Sequence, residues 1–127
     1  MVHSPQRALV VENDTLVGAV ICAFLEELGF SVEVAPGAAS ALNSIGSSPP
    51  DLLVSDVMLE GMNGGDLAVR VRQTHPRMPI LLTSGYDRGS LPDSCAGFPL
   101  LQKPYTFECV ADAVRKAAQA FAIETCS

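Results

Sequence analysis

Five short apolar runs recur along the chain with helical patterns between most of them, and this alternation constrains the fold more than any other feature. The runs cover residues 8–11, 31–35, 52–55, 80–83 and 100–102. Apart from residues 31–35, which are rich in valine but carry Glu33, they are apolar along most of their length, as expected of parallel strands covered by helices on both faces. Val17, Val20, Ile21, Phe24 and Leu28 follow helical spacing, with Asp14 or Thr15 as the cap and Gly29 as the stop. Ala38, Ala41, Leu42 and Ile45 form a shorter helical face that ends in the Gly-Ser-Pro stretch of residues 46–50. A loop through residues 61–65 leads to a helix from about Asp66 to Gln73, carrying Leu67 and Val71 and closed by Pro76 and Pro79.

Over residues 87–97 the pattern weakens. Gly89, Pro92 and Gly97 interrupt any long helix, and only Leu91, Cys95 and Ala96 could pack, so a short or irregular helix is expected there. The last helix starts near Thr106 and presents Phe107, Val110, Ala111, Val114, Ala118 and Phe121 on one face. Strands alternating with helices predict an α/β fold with a single doubly wound, five-stranded parallel sheet. With 127 residues and no linker or internal repeat, the whole chain reads as one domain. Residues 1–6 are expected to form a flexible tail and residues 124–127 a frayed end.

The net charge of −6 argues against a nucleic-acid-binding surface. No apolar stretch is long enough to span a bilayer, and residues 1–7 lack the apolar core of a signal peptide, which points to a cytoplasmic protein. Cys22, Cys95, Cys109 and Cys126 show no metal-ligand spacing and read as reduced thiols. His3 and His75 read as ordinary surface residues.

The residues at and just after the strand ends carry the chemistry. Glu12, Asn13 and Asp14 come after the first run, Asp56 closes the third, Ser84 closes the fourth, and Lys103-Pro104 comes after the fifth. Side chains just past the carboxyl ends of parallel strands gather at one rim, where ligands bind. Carboxylates, a hydroxyl and one lysine would meet there, the composition of a metal-assisted phosphoryl site. Taken singly, each residue has a plainer reading: Asp14 and Asp56 as helix caps or loop residues, Ser84 as a turn former, Lys103-Pro104 as a turn.

Taken together, residues 10–14, residues 56–64, Thr83-Ser84-Gly85-Tyr86 and Lys103-Pro104 resemble a response-regulator receiver domain of bacterial two-component signalling, closest to the subgroup with a Ser/Thr-Gly-Tyr motif after the fourth strand. The resemblance implies a flavodoxin-like sheet of order 2-1-3-4-5. It implies Asp56 as phosphoacceptor and Mg²⁺ as cofactor, held by Glu12, Asn13, Asp56 and the backbone carbonyl of Met58. Mg²⁺ keeps several waters and needs only one or two carboxylates. Lys103 would supply positive charge to the phosphoryl oxygens and Ser84 a hydrogen bond, since such transfer depends mostly on positioning and electrostatics. Ser84 and Tyr86 would form the switch.

Three positions depart from the family pattern. Asn13 stands where aspartate is usual, which predicts weaker metal binding. Glu60 replaces a loop proline and is expected to face solvent. Leu100 replaces the strand aromatic three residues before the lysine, so the usual aromatic swing is absent. Ordering of residues 87–97 on phosphorylation is expected instead, with Tyr86 either moving with the loop or packing as a partly buried residue.

The implied partners are a histidine kinase or histidine phosphotransfer protein and an output protein, for a monomer or weak dimer that is not an enzyme acting on an external substrate. A phosphorylation-independent, receiver-like interaction module is the rival that Asn13 favours. A flavin carrier lacks a phosphate-cradling loop after the first run, and a phosphohydrolase of related fold would lack room for a cap domain.

Overall fold

The structure, a computed structural model, describes residues 6–126 and the side-chain surroundings of residues 6–119. Five strands, β1 (Gln6–Val11), β2 (Phe30–Ala35), β3 (Leu52–Asp56), β4 (Ile80–Ser84) and β5 (Leu100–Gln102), form one parallel sheet of order β2-β1-β3-β4-β5. Four α-helices accompany it: α1 (Thr15–Glu27), α2 (Ala38–Ser47), α3 (Gly64–Thr74) and α4 (Phe107–Cys126). The doubly wound α/β fold and its strand order are those expected.

The pleat explains why the inner strands β1, β3 and β4 carry apolar residues at successive positions. Leu9, Val11, Leu53, Ile80 and Leu82 face a core shared with Ala41 and Ile45 of α2 and Leu67 and Val71 of α3. Their strand neighbours Ala8, Val10, Leu52, Val54 and Leu81 face the opposite core, with Ile21 and Leu25 of α1 and Val110 of α4. Alternate side chains thus enter two cores, and no strand position in the centre of the sheet is left for water.

Local chemistry sets the helix ends. Asp14 Oδ1 accepts hydrogen bonds from the amides of Leu16 and Val17 and caps α1, which leaves it to the plainer of its two readings. Gly29 then turns the chain out of α1 with φ of 102°, a conformation that favours glycine. Asn63 caps α3 through its bond from the Asp66 amide, so this helix begins two residues before the expected Asp66. Thr106 caps α4 by accepting from the Cys109 amide.

Several expectations are corrected. Gln6 is no tail residue: it opens β1 in register with Phe30, because backbone pairing continues past the apolar run. Residues 1–5, with His3, lie outside the described residues, as do the side chains of 124–127 and of Phe121. In α1 the buried positions are Gly18, Ile21 and Leu25, whereas Val20 is 47% exposed. In α4 the buried alanine is Ala117 and Ala118 is exposed. His75 is half-buried and shares a hydrogen bond with Thr74 Oγ1. Cys22, Cys95 and Cys109 are free thiols, as expected.

Between β4 and β5 no α-helix forms. Two 3-10 turns, Arg88–Ser90 and Asp93–Cys95, take its place, as the broken pattern predicts. Arg88 ties this segment to itself, donating to the carbonyls of Cys95 (3.3 Å) and Phe98 (2.9 Å). Leu91, Cys95 and Phe98 pack it onto the core, while Ala96 is exposed.

Candidate functional site at the carboxyl rim of the sheet

Lys103 is the centre of the rim. Its Nζ lies 3.3 Å from Asp56 Oδ2 and 3.3 Å from Glu12 Oε1, so one ammonium holds both carboxylates. Each partner is delivered by a strand end: Glu12 comes after β1, Asp56 closes β3, and Lys103 comes after β5. The main chain fixes these ends. The Glu12 amide donates to Ala35 O (3.0 Å), the Val57 amide to Thr83 O (2.9 Å) and the Lys103 amide to Ser84 O (2.7 Å). The Lys103–Pro104 peptide is cis.

Glu12 and Asp56 are each 7% exposed. Glu12 Oε2 accepts from the Asp14 amide (3.1 Å) and Asp56 Oδ1 from the Met58 amide (3.3 Å). Burial, aided by the charge of Asp56, pushes the Glu12 carboxyl above its ordinary value, against the opposing pull of the Asp14 amide and Lys103. A buried acidic corner of this kind draws in positive charge. Among the described residues no three acidic, histidine or cysteine side chains gather as a metal cage. Two carboxylates and the Asn13 amide nevertheless suit a hard cation that keeps much of its water.

Ser84 is fully buried, and its Oγ accepts from the Tyr86 amide at 3.0 Å. Its own O–H remains available to donate. Tyr86 is 58% exposed, which excludes the reading of a partly buried packing residue. Asn13 and Glu60 are both exposed, the latter as expected. The Met58 side chain points to solvent, and its backbone is the part that reaches the site. The structure therefore joins Glu12, Asp56 and Lys103 directly, attaches Ser84 to them through the main chain, and leaves Tyr86 at the surface.

Two features of the site escape sequence reasoning. Burial, and after it the charges of Glu12 and Asp56, drives the Tyr105 phenol up to about 12. Gly64 lies so close to Asp56 that a β-carbon there would be 2.2 Å from the Asp56 carbonyl oxygen. The Gly64-Gly65 pair is the available signal, although in sequence it reads only as a loop. Beside Lys103, an apolar groove of about 410 Å³ is walled by Val17, Val20, Pro104 and Tyr105.

The family profile described as response regulator receiver domain matches residues 8–115. The chain belongs to this family. It is 34% identical over 109 residues to the response regulator MprA of Mycolicibacterium vanbaalenii, a match covering 82% of this chain and 46% of MprA. The crystal structure of a putative response regulator from Chloroflexus aurantiacus superposes with a TM-score of 0.82 at 30% identity, covering 91% of this chain and 99% of that one. Response regulator TrrA of Thermotoga maritima, crystallised with Mg²⁺-BeF, shares the fold with a TM-score of 0.81 at 23% identity, covering 88% of this chain and 98% of TrrA. The chain spans less than half the length of curated relatives such as MprA. Receiver membership and two-component signalling agree with the sequence reading.

Proposed function

We propose that this receiver accepts a phosphoryl group on Asp56 from a histidine kinase or histidine phosphotransfer protein and then changes its binding to an output protein. The observation that carries this reading is the position of Lys103 Nζ, 3.3 Å from both Asp56 and Glu12. A carboxylate attacking an anionic phosphoryl group is repelled unless fixed positive charge is already in place. Lys103 is held where it can neutralise the equatorial oxygens, with its amide anchored on Ser84. The Ser84 hydroxyl can donate to one of those oxygens once Asp56 gains phosphate.

Glu12, Asn13, Asp56 and the Met58 carbonyl are the donors proposed for Mg²⁺, which when bound would offset charge on both the nucleophile and the phosphoryl group. Asn13 supplies an oxygen without charge. The exposed apolar side chains of Leu16 and Val20, with the groove beside Lys103, offer a partner protein surface next to the carboxylate. The chain assists transfer to and hydrolysis from its own side chain and has no external substrate. Phosphorylation is read through the segment after β4, whose beginning is tied to Ser84 by the Tyr86 amide.

Incubation with acetyl phosphate and Mg²⁺, and then intact mass, tests the reading. Wild type should gain one phosphoryl group and Asp56→Asn none. An unchanged wild-type mass would instead favour the phosphorylation-independent interaction module.

A further inference from the structure

Gly65 is buried at the start of α3, where it meets the second 3-10 turn. A β-carbon on Gly65 would lie 2.6 Å from Ser94 Oγ, 2.6 Å from Cys95 Sγ and 2.9 Å from the Cys95 amide nitrogen. A side chain at this position fits only if the turn, with the side chains of Ser94 and Cys95, moves away. The preceding residue, Gly64, is closer still to its neighbour, with a β-carbon there 2.2 Å from the Asp56 carbonyl oxygen, and its amide donates to Val57 O at 2.8 Å. Two consecutive glycines therefore touch the proposed phosphoacceptor strand end on one side and the segment between β4 and β5 on the other.

The contact is reinforced and selective. Ser94 Oγ donates to Asn63 Oδ1 (3.4 Å), the same oxygen that caps α3 by accepting from the Asp66 amide. Cys95 is 1% exposed, so the turn is seated on α3 and does not merely graze it. Beyond the turn, Arg88 binds the carbonyls of Cys95 and Phe98, so a shift of Cys95 is felt across the segment. The β5 position where an aromatic would otherwise couple strand and surface is Leu100, which packs against the core and has no polar tip.

We propose that the phosphorylation state of Asp56 reaches the far half of the β4–β5 segment through the Gly65 contact with Ser94 and Cys95, in place of an aromatic on β5. This rests on the proposed phosphoryl acceptance at Asp56. Ser84 and Tyr86 hold only the beginning of the segment. Its second turn has no tie to Ser84 among the described hydrogen bonds, and its direct neighbour is the start of α3. Rearrangement of the backbone at residues 56–58 would push Gly64, and a close-packed backbone transmits such a push without slack.

The test is amide hydrogen exchange over residues 93–98, with and without acetyl phosphate and Mg²⁺, on wild type, Gly65→Ala and Ser94→Ala. Intact mass on the same samples reports phosphoryl uptake separately. Wild type should take the phosphoryl group and change its exchange rate in this segment at least several-fold. Gly65→Ala should take the phosphoryl group but lose most of that change, because its methyl forces the turn off α3. Ser94→Ala removes one hydrogen bond without adding bulk, so it keeps the test open if Gly65→Ala does not fold, and it should roughly halve the response. Wild type that is phosphorylated without a change in 93–98 overturns the coupling alone, and so do variants that respond like wild type. Wild type that takes no phosphoryl group overturns the underlying reading and the coupling with it.

Discussion

Tyr105 links single-residue electrostatics to a measurable pH window. A tyrosine in the unfolded chain ionises near about pH 10, whereas burial and the nearby Glu12 and Asp56 drive the folded phenol up to about 12. The folded state holds this proton more tightly, so its stabilising contribution is complete below about pH 10 and is lost as pH rises to about 12. The stability of wild type should therefore fall relative to that of Tyr105→Phe over that window, measured by urea unfolding at each pH. A constant difference would mean the phenol is not held in this buried, acidic setting. Asn13 gives a second residue-scale prediction. Replacing it with aspartate adds a charge to the corner shared by Glu12 and Asp56, and Mg²⁺ should bind several-fold more tightly in calorimetric titration. Equal affinity would remove Asn13 from the proposed ligand set. Asp56, Glu12, Ser84 and Lys103 were legible in the sequence because each sits at a strand end and strand ends converge in a parallel sheet. Tyr105 and Gly65 were not, because their roles depend on neighbours remote in the chain.

At the scale of elements, α1 marks the limit of periodicity as a guide. Leu16, Val17, Val20, Ile21, Phe24, Leu25 and Leu28 cover more than one face of a 13-residue helix and its cap, so spacing alone does not choose which side turns inward. The structure turns Gly18, Ile21 and Leu25 to the sheet, placing the smallest residue beside Glu12: a β-carbon on Gly18 would be 3.6 Å from Glu12 Cγ. Leu25 is completely buried and Leu16 is 81% exposed. Leu25→Ala should cost about 2–5 kcal/mol in urea unfolding, while Leu16→Ala should fall within about 0.5 kcal/mol of wild type. Similar costs for both would contradict the observed rotation of the helix. In α4 the same ambiguity, one alanine beside another, put Ala118 where Ala117 belongs. The segment before β5 was the easier case, since Gly89, Pro92 and Gly97 exclude a regular helix on backbone grounds alone.

For the whole molecule, sheet order does what no element does alone. Placing β3 between β1 and β4, with β5 beyond, brings the ends of β1, β3 and β5 within reach of one lysine. Class, strand number and rim were readable from the alternation of apolar runs and helices, while the order 2-1-3-4-5 came from resemblance, because local patterns carry no information about which strands pair. The apolar groove beside Lys103 is a property of the assembled surface, and with the net charge of −6 it suits the protein partners proposed above. Every functional role proposed for the rim depends on Asp56 as the position that takes the phosphoryl group. The most direct measurement is peptide mass mapping of wild type labelled with acetyl phosphate and Mg²⁺. The added mass should lie on the peptide containing Asp56 and be much reduced in Lys103→Gln. Label on Ser84 or another residue, or full labelling of Lys103→Gln at the wild-type rate, would contradict it.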